Sequence, residues 1–222
     1  MTSDAAAARR LARGLLTPVT VGAAIVVFAL FAHRGWPWIV VSGVGLLGSA
    51  ALIGSTLREA SWPSALLGRA ASGWRLVSLA IVGIVIGVLG GVLQRHHSGV
   101  VHEPASGLHL FVALACLIGA TEELVYRGWM LERLSTLGWP AAVVLTAVAH
   151  GAYKTALFAW PPNTEGVGLN LAGIALWTVL GGMVLGLLRV SSRSVLPAVL
   201  AHAAFDAVVY SAFAAPPWWV WG

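Results

Sequence analysis

Six ionisable side chains lie within otherwise apolar stretches in the second half of the sequence: Glu122, Glu123, Arg127, His150, His202 and Asp206. An ionisable group inside a membrane span is costly and normally faces a cavity or a partner. Glu123 and Arg127 are spaced i, i+4, as are Glu122 and Tyr126, and His202 and Asp206, so each pair shares a helix face. A carboxylate and an imidazole across a gap can deprotonate a water molecule. A second imidazole with a neighbouring side chain can stabilise a developing oxyanion. Together these are the parts of a hydrolase. The same residues admit another chemistry, in which Glu122, His150 and His202 bind Zn²⁺ with one position left open for water. Plainer readings exist for each part. Glu123 and Arg127 alone would be a structural ion pair, His150 alone a packing histidine, and His202 with Asp206 an interhelical clamp. Glu122 has no partner in its own helix, and six such residues converging weigh against a purely structural account of the set.

The elements that must position these groups are read from seven apolar runs, residues 15–32, 36–57, 76–93, 108–126, 139–159, 167–188 and 195–215. Each is close to the roughly 20 helical residues that cross a bilayer core. Period-2 alternation is absent and open strands cannot span hydrocarbon, so the runs are predicted helices. Composition agrees: of 222 residues 59% are hydrophobic and only 9% charged, with a mean hydropathy of +0.87. A water-facing surface needs about a quarter of its residues charged. The formal net charge is +5, yet the basic residues stand singly or in small groups between apolar runs, which excludes a nucleic-acid partner. The single cysteine, Cys116, excludes an internal disulfide.

Basic residues concentrate on the cytoplasmic side of a membrane protein. Alternate loops hold Arg9, Arg10 and Arg13, then Arg58, Arg69 and Arg75, then Arg127 and Arg133, then Arg189 and Arg193, against Arg34, Arg95 and Lys154 on the other side. The expectation is an all-α polytopic membrane helix bundle of about seven transmembrane helices with a cytoplasmic N-terminus. Residues 1–222 form one membrane domain, with three spans and an outer loop in 1–107 and a core in 108–215. The first residues, up to Leu15, read as a mobile basic tail able to lie on anionic lipid. Arg95 to Gly107 reads as a polar outer loop. Nine of the eleven tryptophans, Trp129 among them, fall at span ends where an indole prefers to sit. Gly90-Gly91 and Gly181-Gly182 permit close helix packing. At 1.5 Å per residue, Glu123 is roughly 6 Å deep, His202 roughly 10 Å, and Asp206 and His150 roughly 16 Å, all within reach of one cavity open to the cytoplasm.

The stretch from Ala120 to Gly128 contains Glu122-Glu123-x-x-x-Arg127 and resembles the EExxxR signature of the CPBP family, the CAAX-protease and bacteriocin-processing intramembrane proteases. The family's second signature, FxxxH, has its counterpart in Thr146 to His150, with Thr where Phe is usual. The third, HxxxN or HxxxD, is similar to His202 to Asp206. The resemblance covers roughly residues 108–215. It implies that Glu122 acts with His150 on the attacking water, that His202 and Asp206 stabilise the oxyanion or fix its donors, and that Glu123 and Arg127 shape the site. It implies a membrane-embedded peptide or protein substrate in a lipid bilayer, in a bacterial plasma membrane if the arginine-rich composition reflects a bacterial source. It leaves both a metalloprotease and a metal-free glutamate mechanism open, so zinc at Glu122, His150 and His202 stays an alternative. Two further readings remain: a catalytically silent scaffold or immunity protein of the same fold, and a small proton-coupled transporter.

Overall fold

In lipid every backbone N–H and C=O must be satisfied within its own segment, so long apolar runs fold as helices. The structure is a computed structural model that describes residues 3–32, 38–57, 67–69, 73–97, 109–159 and 170–211. Helix α1 spans Ser3–Ala32, α2 Trp38–Leu57 and α3 Gly73–His97. Helix α4, Leu110–Glu123, runs directly into a π-helical segment, Leu124–Met130, a single α-turn, Leu131–Leu134 (α5), and a 3₁₀ turn, Ser135–Leu137. Helices α6, Trp139–Phe158, α7, Leu171–Ser192, and α8, Leu196–Tyr210, complete the bundle. Counting the α4–π–α5 rod as one, seven helical rods correspond to the seven predicted spans, and no strand occurs among the described residues.

Leu15–Ala32, Gly73–His97, Trp139–Phe158 and Leu171–Ser192 are long and apolar enough to cross a membrane, while Gly43–Gly54 and Leu196–Tyr210 are shorter apolar stretches. The surface is inverted relative to a water-soluble protein. On α3 the side chains of Val77, Ile81, Val85, Leu89 and Leu93 are exposed, whereas Glu123, Arg127 and His150 are buried. Lipid solvates the first set and the second satisfies itself inside, as a polytopic membrane helix bundle requires.

Several boundaries move. The basic N-terminal stretch is not a separate tail, because α1 is continuous from Ser3. The run 76–93 extends at both ends to 73–97, and the run 108–126 continues through the π segment to Leu134. Trp129 does not face lipid. It is 2% exposed and packs with Tyr126, Met130, Leu131, Leu134 and Val143. Most of the predicted outer loop, the C-terminal end of the last span and several interfacial tryptophans lie outside the described residues.

Glycine sets the helix spacing. A Cβ at Gly83 would meet the Pro197 carbonyl at 2.5 Å, one at Gly87 would overlap the Ala201 carbonyl, and one at Gly91 would meet Val208 at 2.8 Å. These three, spaced i, i+4, i+8, let α3 lie against the backbone of α8. Of the glycine pair in α7, only Gly182 faces the protein. A Cβ there would come within 2.6 Å of Arg127 Nη2, whereas Gly181 has open space.

At one end of the bundle three loops meet. Val195 N–H donates to Leu67 O at 3.0 Å, Gly68 lies against the Arg193 carbonyl, and the buried Arg189 donates from Nη2 to Glu132 Oε2 at 3.0 Å. These are loops that the alternation of basic residues assigns to a single side.

Candidate active site

Consecutive residues on an α-helix point about 100° apart, so Glu122 and Glu123, at the end of α4, serve different partners. Glu123 faces Arg127 one turn on. Its Oε1 accepts from Arg127 Nη1 at 2.9 Å, with both side chains fully buried. Arg127 lies in the π segment, where Leu131 N–H reaches back five residues to Tyr126 O. Such i→i+5 turns are rare and recur at functional sites. The same Nη1 is 2.9 Å from His150 Nδ1 on α6, so one guanidinium nitrogen joins Glu123 to His150.

Glu122 faces α6. Its Oε2 lies 3.1 Å from His150 Nε2 and its Oε1 accepts from Lys154 Nζ at 2.6 Å. His202, on α8, directs Nδ1 to Glu123 Oε1 at 2.9 Å. Its Nε2 stands 3.9 Å from Glu122 Oε2 and 3.9 Å from Asp206 Oδ2. The rings of His150 and His202 are 6.1 Å apart. All six residues singled out by sequence are therefore in one place, drawn from α4, the π segment, α6 and α8.

A cavity of about 700 Å³ adjoins them. Glu122, His202 and Asp206 line it, with Tyr126, Tyr153 and Lys154. Val21, Ile25 and Phe28 of α1 and Val44 and Leu52 of α2 form an opposite apolar wall. Glu123, Arg127 and His150 do not line it and stand behind the first three. Tyr126 stacks on the His150 ring at 4.6 Å and fixes its plane from the other side. Gly119, one turn before Glu123, has no room for a side chain, because a Cβ would overlap Asp206 Oδ2 and lie 3.0 Å from the His202 ring.

Thr146, where the resemblance expects Phe, is fully buried and its hydroxyl bonds back to the carbonyls of Ala142 at 2.9 Å and Val143 at 3.1 Å. The polar atom is absorbed by its own helix, so the substitution leaves no unsatisfied group beside His150.

Lys154 requires a correction. The charge count places it in an outer loop, but it lies within α6 and its ammonium group is on Glu122. The sequence held a signal for this: Lys154 is four residues after His150 and so on the same helix face. Two tyrosines also went unread: the spacing of Tyr126 points at Glu122 while its ring packs on His150, and Tyr153 bonds Glu122 with its ring 6.1 Å from that of His150.

Residues 104–208 match the type II CAAX prenyl endopeptidase Rce1-like family. The matched segment, just under half of the chain, is similar to that family. The matched segment contains EExxxR, the TxxxH counterpart of FxxxH, and HxxxD, and with them Lys154 and the α4, α6 and α8 faces that form the polar side of the cavity. The apolar wall from α1 and α2 lies outside it. No curated protein and no solved structure matches the chain.

Proposed function

We propose that the protein is an intramembrane endopeptidase that hydrolyses a peptide bond of a membrane-associated protein or peptide near the cytoplasmic face, with water activated at Glu122. The observation that carries this reading is the convergence of Glu122 Oε2, backed by His150 Nε2 at 3.1 Å, and His202 Nε2 at 3.9 Å on one cavity. The Rce1-like match over the same residues supports it.

The hydrogen-bond directions assign the protons. Arginine is a donor only, so His150 Nδ1 accepts from Arg127 and the imidazole carries its proton on Nε2, donating to Glu122. Glu122, which lines the cavity, is then the group that takes a proton from water, and His150 holds the carboxylate from behind. The resulting hydroxide attacks the carbonyl carbon of the substrate, and the proton on Glu122 passes to the leaving amine. His202, with Nδ1–H directed to Glu123, offers Nε2–H to the oxyanion when both ring nitrogens are protonated. Glu123, 2.9 Å from Nδ1, and Asp206, 3.9 Å from Nε2, supply the counter-charge to that imidazolium.

Zinc held by Glu122, His150 and His202 fits this donor pattern poorly. His202 has the outer carboxylate that a zinc-bound imidazole uses, but a neutral His150 bound through Nε2 would carry its proton on Nδ1. There it would meet Arg127, which accepts nothing. No three His, Cys, Asp or Glu side chains among the described residues are grouped to hold a metal ion. We expect chelation by 1,10-phenanthroline to leave turnover unchanged.

The direct test is cleavage of a membrane-peptide library by the purified protein in detergent. Glu122→Gln is expected to lower turnover by about 10²–10⁴-fold, the usual contribution of a general base. Cleavage at the wild-type rate by Glu122→Gln would overturn the assignment.

A further inference from the structure

Glu122 is held by His150 and Lys154 from one face of α6, with the Tyr153 hydroxyl of the same helix also on its carboxylate. His150 and Lys154 are spaced i, i+4, and each takes a different oxygen: Nε2 of His150 is 3.1 Å from Oε2, and Nζ of Lys154 is 2.6 Å from Oε1. A glutamate has three side-chain torsions to fix, and one hydrogen bond leaves the carboxylate free to swing about the other oxygen. Two anchors on one rigid helix fix both its direction and its plane. Neither Arg127 nor His202 can replace Lys154 in this. The hydrogen bonds of Arg127 go to Glu123 and His150, and His202 Nε2 stands 3.9 Å from Oε2 on the far side.

We propose that Lys154 is a positioning residue for the reaction: its ammonium group clamps Oε1 of Glu122, so that Oε2 alone is presented to water and to the side of the cavity where His202 stands. This rests on Glu122 being the base. The clamp also keeps a buried carboxylate from lying uncompensated beside two more, since Glu123 is matched by Arg127 and Asp206 lines the same cavity. Lys154 belongs to none of the three sequence signatures, yet it makes the shortest polar contact of Glu122. The long aliphatic stem suits the place, because it carries the ammonium group to Glu122 alongside Tyr153, whose ring centre is 5.3 Å from Nζ.

Two measurements test this, and they fail separately. The first is kinetic. In Lys154→Met, kcat is expected to fall on the order of 100-fold, as for a misplaced reacting group, with KM nearly unchanged. In Lys154→Ala, propylammonium is expected to restore turnover in a saturable manner, whereas 1-propanol, of the same shape and without charge, is not. Wild-type turnover in a folded Lys154→Met, or equal rescue by propanol, would overturn the role. The second measurement needs no substrate. Thermal unfolding of Lys154→Met, Glu122→Gln and the double variant in detergent forms a cycle. The expected result is that the double variant is more stable than Lys154→Met alone, because the unpaired buried charge has been removed. Strict additivity would overturn the clamp. If the wild type cleaves no peptide, the peptidase reading fails while the cycle still decides the clamp. If Lys154→Met does not fold, folding of the double variant supports the pairing and its failure to fold refutes it.

Discussion

Arg127 joins a buried carboxylate to an imidazole through one nitrogen, and this makes its two contributions separable. Removing it leaves Glu123 charged, fully buried and without its cation, a loss of about 3–5 kcal/mol by comparison with other broken buried pairs. It also releases Nδ1 of His150, so the ring is free to carry its proton on either nitrogen. Arg127→Met should therefore be both unstable and inactive. Adding Glu123→Gln should recover much of the stability, measured by thermal unfolding, while turnover stays low because His150 is still unconstrained. Recovery of turnover along with stability would mean that Arg127 matters only as an ion pair. At this scale much was legible. A charge or imidazole in an apolar run has to be accounted for, and the i, i+4 spacing of Glu123 with Arg127 gives a contact that the structure contains. Lys154 carried the same i, i+4 signal with His150, but charge counting treats a lysine near the end of a run as loop. That it pairs with Glu122, thirty-two residues away, depends on how α4 and α6 face each other.

The elements bring these groups together through close approach, and glycine permits it at defined points. Gly181 and Gly182 make a paired test. Alanine at 182 would crowd Arg127 Nη2 and the Ala147 Cβ at 3.1 Å, whereas alanine at 181 meets nothing within 4 Å. Gly182→Ala should cost about 1–3 kcal/mol as overpacking and lower kcat by displacing Arg127. Gly181→Ala should match wild type in both melting temperature and activity. Equal behaviour of the two variants would contradict the packing of α6 on α7. The sequence marks such pairs as sites of close contact but not which member faces inward, since that depends on helix rotation. The π segment was equally unreadable. Leu124 to Met130 contains no proline or other local mark of the wider turn that it adopts. The number of rods was readable because it rests on run length, the most robust signal in a membrane sequence.

For the molecule as a whole, the two halves of the cavity come from different parts of the chain: a polar face from α4, α6 and α8, and an apolar wall from α1 and α2. Gly48 lines that wall and has open space beside it. Gly48→Trp should therefore fold normally and narrow the route to Glu122, raising KM with little change in kcat. An unchanged KM would mean that substrate does not pass α2. The glycine stripe of α3 has a consequence for where this protein can be cut. Family likeness begins at residue 104, after α3 has ended, yet Gly83, Gly87 and Gly91 lie directly on the backbone of α8, which holds His202 and Asp206. A fragment trimmed to the recognisable portion would lose the surface against which α8 is seated, and lipid chains cannot reproduce a contact that close. Heredity and architecture thus place their borders differently in this chain. A co-expressed segment bearing α3 is expected to restore helix seating to the trimmed fragment, by near-native protease resistance, where an α3 with alanine at those three positions is not.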